Sequence, residues 1–307
     1  MTGHALVIGE ALVDVVVRPD GSSSTHPGGS PANVAIGLAR LGRTVELLAW
    51  LALDEHGRMV REHLGESGVT LVRGSESAIH TSVATAVLDE TGAAEYDFDL
   101  TWAVSPSAAP SRKPTVVHTG SIGAVLPPGA ADVFALVEKF RPTSTITYDP
   151  NVRPGLMGNP ITAGKLIERM VAVSDIVKVS DEDLTWLRPE LTPATMARRW
   201  LGLGPAMIVV TRGKDGASAY LHDGRHFDVS APRVQVVDTV GAGDSFMSGL
   251  IDGLWSQGYL GGHNRDRLAE LTTDVVTYAL SRCVGIAAVT VSRAGANPPT
   301  LAELGEE

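Results

Sequence analysis

Short apolar runs alternate with segments of helical periodicity along this chain, and that alternation limits the possible folds more than any other feature. The order predicts an α/β fold in a single domain, residues 1–307, with a mostly parallel central sheet and helices on both faces. The predicted buried strands are Ala5–Gly9, Val45–Leu51, Thr115–Thr119, Thr145–Asp149, Asp175–Val179 and Met207–Thr211. The predicted helices are Pro31–Leu41, Gly57–Ser67, Ala130–Phe140, Ala163–Val173, Asp181–Leu187 and Pro193–Leu201.

Two segments depart from this alternation and predict a small β-lid, formed from about residues 11–26 and 81–102. The first is an apolar run that contains Asp14. In the second, Asp89–Gly92 has the composition of a hairpin turn, and apolar residues including Phe98 then alternate with aspartates. An ordinary hairpin at the edge of the main sheet is the alternative interpretation.

Composition excludes several classes of function. The net charge of −10 argues against a nucleic-acid partner, because phosphate backbones attract basic surfaces. The only cysteine, Cys283, rules out an internal disulfide and fits a reducing compartment, and its setting is typical of a buried helix of small residues. We find no signal peptide and no window of 18 apolar residues, so we expect a cytoplasmic protein without a membrane partner.

The run Asp238–Phe246 carries the clearest signal for chemistry. Three small residues, Gly241, Ala242 and Gly243, precede Asp244, and an amphipathic segment follows at once. Small residues let backbone N–H groups approach an anion, and a helix that starts there directs its positive end at the same point. Asp244 could therefore accept a proton beside an anion hole during phosphoryl transfer to a hydroxyl. The alternative is a turn with an aspartate that caps a helix.

A second glycine pair lies at the start of the helix predicted from residue 31. Ser30 is a suitable N-cap for it and Pro31 a suitable first residue, and neither needs a ligand. Gly28 and Gly29 would let a ligand approach the backbone, and Asn33 can both donate and accept hydrogen bonds, which suits sugar hydroxyls.

Charged residues follow several of the strands. Asp14 could hold two hydroxyls of a polyol, or it could be an exposed loop residue. Arg153 could neutralise a transferring phosphate, or it could pair with Asp149 in a turn. Ser180 is a suitable N-cap with Asp183 in the first turn, and Asp183 could instead steer hydrated Mg²⁺.

The last predicted parallel strand ends in Thr211, followed by Gly213 and Gly216. This segment could hold a nucleotide phosphate, and a plain turn explains it equally well. No P-loop signature occurs, and no Gly-x-Gly-x-x-Gly opens an early βα unit.

Taken in order, these motifs resemble the ribokinase-like (PfkB) carbohydrate kinase family over nearly the whole chain. Two runs carry the resemblance, Gly28–Ala35 and Asp238–Phe246, and within the family the chain is most similar to the fructokinases. The resemblance implies ATP-dependent phosphorylation of the primary hydroxyl of a neutral sugar, with D-fructose as the expected substrate. Kinases for 2-keto-3-deoxygluconate, ribose or a nucleoside, and a non-catalytic sugar- or nucleotide-binding regulator, are the alternatives.

The resemblance also implies roles for individual residues. Asp244 would be the base, the backbone of Gly241 to Asp244 would stabilise the γ-phosphate, and Arg153 would lie near it. The expected sugar-binding residues are Asp14, Gly28, Gly29, Asn33 and the lid residue Phe98. The expected ATP-binding residues are Lys178, Ser180, Thr211, Gly213, Gly216 and Asn297.

Two departures from the family concern cations. Asp183 stands where the family usually has glutamate, which shortens its reach toward Mg²⁺ by one methylene. The family's monovalent-cation site uses carbonyls around Asp238 and Val240, where K⁺ would bind, but Pro299 replaces a residue that is often serine there. The lid often forms a dimer surface in this family, so a homodimer through the lid is a further hypothesis.

Overall fold

The computed structural model describes residues 3–89, 94–104 and 108–306. Its strands are β1 His4–Ile8, β2 Leu12–Val17, β3 Ser23–Gly28, β4 Thr44–Leu48, β5 Thr70–Leu71, β6 Val83–Leu88, β7 Ala94–Asp99, β8 Val116–Gly120, β9 Thr145–Asp149, β10 Ile176–Ser180, β11 Met207–Thr211, β12 Ala217–Leu221 and β13 His226–Val229. Its α-helices are α1 Ser30–Arg40, α2 Glu55–Glu66, α3 Gly129–Phe140, α4 Pro154–Met157, α5 Pro160–Val173, α6 Asp181–Leu187, α7 Pro193–Leu201, α8 Ala242–Ser256, α9 Arg265–Ala269 and α10 Thr273–Val291.

The main sheet has nine strands in the order β13-β12-β11-β10-β9-β8-β1-β4-β5. Every pairing from β11 to β5 is parallel, and β12 and β13 add an antiparallel edge. The six predicted strands are all present, each within three residues of its predicted ends. Hydrophobic periodicity did not indicate β12 and β13, which are short and separated by the turn at His222–Arg225.

Helices cover both faces of this sheet, because each strand sends alternate side chains to opposite sides. In β1, Ala5 and Val7 belong to one hydrophobic core, and Leu6 and Ile8 belong to the other. Residues of α1, α8 and α10 fill the first core, whereas residues of α3, α5 and α7 fill the second. The predicted α/β class is therefore confirmed.

A second sheet of four strands has the order β3-β2-β6-β7. β2 pairs antiparallel with β3 and parallel with β6, and β6 pairs antiparallel with β7. This is the small β-sheet that the sequence predicts. The predicted turn at Asp89–Gly92 includes residues 90–92, which lie outside the described residues.

One helix among the described residues, α10, is long and apolar enough to span a membrane by length and composition, although it contains Asp274 and Arg282 and is not a window of 18 apolar residues. Its apolar side chains pack on α8. Cys283 is fully buried there, and a Cβ on Gly249 would lie 3.2 Å from the Cα of Cys283. The prediction that Cys283 belongs to a buried helix is confirmed.

Candidate active site

The loop before α8 presents backbone N–H groups at the start of a 15-residue helix. Gly241 is the N-cap residue with φ +74°, and a Cβ there would lie 2.5 Å from the Cβ of Ala296. The carboxylate of Asp238 fixes the loop, because it accepts hydrogen bonds from the N–H of Val240 at 3.0 Å and of Gly295 at 2.8 Å. The small residues thus allow a tight left-handed turn whose N–H groups can face an anion.

Asp244 lies in the first turn of α8 and is buried. Its carboxylate accepts hydrogen bonds from the Ser30 hydroxyl at 2.6 Å and from the Asn33 side-chain amide at 2.8 Å. Burial raises the pKa of Asp244, whereas these two hydrogen bonds and the charge of Lys178 act to lower it. The group is therefore held in one orientation with a pKa nearer to neutrality, as a general base requires.

Ser30 corrects one prediction. Helix α1 begins at Ser30 itself, Gly29 occupies the N-cap position, and no side chain caps the helix. The hydroxyl of Ser30 is directed at Asp244 instead. Pro31 is consequently the second helical residue rather than the first.

A buried ion pair lies beneath the glycine loop. The Lys178 ammonium contacts the Asp149 carboxylate at 2.8 Å, with 5% and 0% of the two side chains exposed. Burial acts to lower the pKa of Lys178, but the charge and hydrogen bond of Asp149 outweigh it and leave the pKa raised. Because the ammonium also lies 2.8 Å from the position that a Cβ on Gly243 would take, it places a permanent positive charge under the loop. Its contact with ATP stays a prediction.

A cavity of about 790 Å³ opens in front of Asp244. It brings together eight residues that the sequence predicts for the sugar or the transferred phosphate: Asp14, Gly29, Asn33, Phe98, Arg153, Gly241, Gly243 and Asp244. Val240 lines it as well. Leu12, Ala84 and Leu100 line part of its wall, so the cavity has one apolar side.

Asp14 and Gly28 act together. Asp14 lies on β2 rather than in a loop, opposite His26 of β3. A Cβ on Gly28 would lie 2.1 Å from a carboxylate oxygen of Asp14, so this glycine makes room for the aspartate. Burial raises the pKa of Asp14, and the charges of Arg153 and His26 partly offset that effect. Gly28 itself is not among the residues that line the cavity.

Arg153 precedes α4 and lines the cavity. Its guanidinium donates a hydrogen bond to the side-chain oxygen of Asn151 at 2.8 Å. The alternative in which Arg153 pairs with Asp149 is wrong, because Asp149 pairs with Lys178. Arg153 is thus available to act on charge inside the cavity.

Sequence reasoning gave no role in the site to five polar residues that line the cavity: Glu10, Ser30, Ser121, Asn151 and Thr239. Ser121 and Asn151 have φ values of 52° and 37°, and they are the two non-glycine residues with positive φ in the described part of the chain. Such strain concentrates at functional sites. Sequence gives no sign of it at a serine, although asparagine adopts this conformation more readily than most residues.

The residues predicted for ATP lie outside this cavity. Thr211 ends β11, and a Cβ on Gly216, where φ is +89°, would lie 1.9 Å from the carbonyl oxygen of Val229. Asn297 accepts a hydrogen bond from Arg40. We call the predicted ATP-binding residues other than the buried Lys178 the outer set: Ser180, Thr211, Gly213, Gly216 and Asn297. The inner set is Glu10, Asp14, Ser30, Asn33, Arg153 and Asp244.

Asp183 forms a capping box with Ser180 at the start of α6, as the cap interpretation predicts. One of its carboxylate oxygens accepts from the N–H of Val152 at 3.1 Å. Burial, together with the charge of Asp149, raises the pKa of Asp183 to about 6. Within the described residues no group of three His, Cys, Asp or Glu side chains could hold a metal ion.

Comparison with known proteins agrees with this geometry. Residues 3–302 match the pfkB family carbohydrate kinases. The chain belongs to this family. It is an ATP-dependent sugar kinase, which confirms the family and the enzyme class that the sequence predicts.

Three relatives illustrate the similarity. A fructokinase of Klebsiella pneumoniae is 32% identical over 306 residues, covering 96% of this chain and 95% of the relative. An aminoimidazole riboside kinase of Salmonella typhimurium is 32% identical over 261 residues, covering 80% and 79%. The fold of this sugar kinase superposes on the structure of a fructokinase with bound ATP from Xylella fastidiosa with a TM-score of 0.84, at 24% identity and with 99% and 97% coverage.

Proposed function

We propose that this kinase transfers the γ-phosphoryl group of ATP to the 6-hydroxyl of D-fructose. The observation that supports the proposal best is the setting of Asp244, which is buried, oriented by Ser30 and Asn33, and placed on the cavity wall at the N-terminus of α8. Asp244 accepts the hydroxyl proton as the sugar oxygen attacks the γ-phosphorus. The bond between that phosphorus and the β–γ bridging oxygen breaks, and ADP leaves.

Fixed dipoles and cations stabilise the negative charge on the transferring phosphoryl group. The N–H groups of Gly241 to Asp244 at the N-terminus of α8 stabilise the phosphoryl oxygens, and Lys178 adds positive charge beneath them. Arg153, which follows the carboxyl end of β9, supplies a second cation. Mg²⁺ bound with ATP would neutralise phosphate charge; Asp183 would be the residue that holds it, and the outer set would contact the nucleotide.

The charges of the cavity favour a neutral sugar. Three carboxylates, those of Glu10, Asp14 and Asp244, line it against one cation, Arg153. Carboxylates accept hydrogen bonds from hydroxyls, whereas an acidic sugar such as 2-keto-3-deoxygluconate would meet repulsion. Fructose is therefore favoured over the acid.

A riboside with a small base is the second candidate substrate. One relative is an aminoimidazole riboside kinase, and the apolar side formed by Leu12, Ala84 and Leu100 could receive an aromatic ring. A coupled ADP-release assay with Mg·ATP decides between the candidates, with fructose, aminoimidazole riboside, ribose, adenosine, glucose, tagatose and 2-keto-3-deoxygluconate as acceptors. Saturable turnover with fructose at the highest kcat/KM supports the proposal, and a preference for another acceptor transfers the same mechanism to that substrate.

Potassium activation is a further proposal. The carbonyls near Asp238 and Val240 belong to the loop that the Asp238 carboxylate holds against Gly295. A K⁺ ion bound there would stiffen the loop and raise kcat. Turnover measured in KCl and in an equal concentration of a tetraalkylammonium salt tests this; equal rates would contradict it.

We also propose that the protein is cytoplasmic and forms a homodimer through the β-lid. Val87 of the small sheet is 46% exposed and lies on the face opposite to the cavity residues Ala84 and Phe98, which gives that face apolar surface. Gel filtration at micromolar concentration is expected to show a dimer, and a monomer alone would contradict the assignment.

A further inference from the structure

Glu10 is a buried carboxylate for which the mechanism above has no use. It follows β1, is 6% exposed, and lines the cavity that contains Asp244. Burying a charged group away from water is costly unless it is hydrogen-bonded or paired. The position of Glu10 therefore requires an explanation.

The surroundings of Glu10 are built to receive its carboxylate. The N–H of Gly123 donates to one carboxylate oxygen at 3.0 Å, and Ser121, two residues before Gly123, lines the same cavity. A Cβ on Gly123 would lie 3.0 Å from that same oxygen and 2.9 Å from the Cα of Gly9. The chain therefore brings the Ser121–Gly123 turn unusually close to Glu10, with Ser121 held at a φ of 52°.

A second strained residue lies beside this turn. Ser121 donates its backbone N–H to the carbonyl of Asp149 at 3.0 Å. Two residues further on, Asn151 is the other strained residue and accepts from Arg153. Both strained residues and Glu10 line the same cavity, so the strain serves the shape of that cavity rather than a remote part of the fold.

The fixed donor beside Glu10 favours a carboxylate that accepts hydrogen bonds, because the Gly123 N–H can donate only to an oxygen that accepts. Burial raises the pKa of Glu10 to about 7 even though the Gly123 N–H and the Arg153 charge act to lower it. The ionised form, which accepts hydrogen bonds and donates none, therefore predominates above about pH 7. The other carboxylates on the cavity, Asp14 on β2 and Asp244 on α8, come from different elements.

We propose that Glu10 is a specificity-determining residue whose carboxylate accepts a hydrogen bond from one sugar hydroxyl, other than the one that is phosphorylated. The inference rests on the proposed sugar kinase function and extends it. A site that hydrogen-bonds a substrate hydroxyl discriminates strongly against the analogue that lacks it, because a buried acceptor is then left without a partner.

The test combines Glu10→Gln with fructose analogues that each lack one non-reacting hydroxyl. Glu46→Gln is the matched control, because Glu46 is a buried glutamate that also accepts a backbone N–H, from Ser111, but does not line the cavity. In Glu10→Gln, kcat/KM for fructose is expected to fall about 10- to 100-fold, the loss of a hydrogen bond to a charged group. The KM for ATP is expected to stay within about twofold.

The deciding result is non-additivity between the variant and one analogue. The wild-type enzyme should discriminate against every analogue, and Glu10→Gln should lose discrimination against one of them only, whereas Glu46→Gln keeps the wild-type pattern. Ser121→Gly supplies a second variant, since glycine adopts the φ of this residue freely. It should weaken discrimination against the same analogue to a smaller extent.

The two levels of the proposal fail differently. Suppose that the wild-type enzyme turns over fructose, but that the loss in kcat/KM caused by Glu10→Gln or Ser121→Gly adds to the loss caused by each analogue without any interaction between them. The role of Glu10 is then overturned and the kinase assignment stands. If the wild-type enzyme prefers another acceptor, deoxy analogues of that acceptor replace those of fructose in the same cycle. If the wild-type enzyme phosphorylates no sugar, the proposed function and this inference fall together.

Discussion

The inner and outer sets differ in how the chain builds them. The inner set combines side chains far apart in sequence, as in the hydrogen bond from Ser30 to Asp244 across 214 positions. The outer set includes local turns and caps, such as Ser180 with the N–H of Asp183 three residues later, and one long-range contact, the hydrogen bond from Arg40 to Asn297. Asp244 and Glu10 of the inner set are nearly inaccessible, although Asp14 and Arg153 of the same set are exposed, and a Cβ on Gly213 of the outer set would meet no atom within 4 Å.

This contrast teaches where a substitution should affect chemistry and where it should affect only the backbone. In the inner set a change of charge alters a buried hydrogen-bond network, in which interactions are strong and cooperative. In the outer set a change acts through turn conformation, which costs about 1–3 kcal/mol. The predictions below test that division, from the largest expected effect to the smallest.

Asp244→Asn should have the largest effect. The amide keeps the shape of the side chain but cannot accept the hydroxyl proton, so kcat is expected to fall about 10²–10⁴-fold. Coupled ADP release measures the loss. Asp274→Asn is the control, since Asp274 lies in the first turn of α10 but is exposed and remote from the cavity. An Asp244→Asn enzyme with nearly wild-type turnover would remove the base from the inner set.

Asp149→Asn should destabilise the fold. It leaves the buried Lys178 ammonium without its counter-ion, and breaking a buried ion pair costs about 3–5 kcal/mol in the free energy of unfolding. Urea denaturation measures this. Asp223→Asn removes an exposed partner of Arg225 and is expected to cost less than about 1 kcal/mol. Equal costs in the two variants would show that the charge beneath the glycine loop is not effectively buried.

Ser30→Ala should weaken the base without removing it. The lost hydrogen bond to a charged group is worth about 1.5–3 kcal/mol, which corresponds to a fall of about 10- to 100-fold in kcat/KM. Because that bond lowers the pKa of Asp244, its loss raises this pKa, and the acid limb of the pH–rate profile should move to higher pH. Ser248→Ala is the control. Ser248 lies four residues after Asp244 on α8, and its buried hydroxyl donates a hydrogen bond to the carbonyl of Ser245, so its removal should leave the acid limb of the profile at the same pH.

The sequence allowed prediction of those features that depend on local pattern. The parallel strands, the helices between them and the helix start beside Asp244 all follow from periodicity and small residues. The role of Ser30 could not be predicted in this way, since a serine before a helix reads as a cap and only the packing of α1 on α8 turns it toward Asp244. Glu10 was missed because its burial depends on a turn more than 110 residues away. Long-range contacts, rather than composition, made these two residues part of the site.

The smallest expected effects come from the outer set, where two glycines of one turn make different demands. At Gly216 a Cβ would lie 1.9 Å from the carbonyl oxygen of Val229, so Gly216→Ala is expected to destabilise the fold by at least about 1–3 kcal/mol. At Gly213 φ is +51° and no atom lies within 4 Å of the position that a Cβ would take, so Gly213→Ala costs only the free energy of the left-handed conformation, about 1–2 kcal/mol.

Thermal unfolding compares the stabilities of the two variants, and the KM for ATP shows which of the two glycines matters for nucleotide binding. If Gly213 faces ATP, its added methyl group should raise that KM several-fold while the KM for the sugar stays unchanged. Equal changes in both KM values would contradict the division into inner and outer sets, because the outer turn would then be coupled to the cavity.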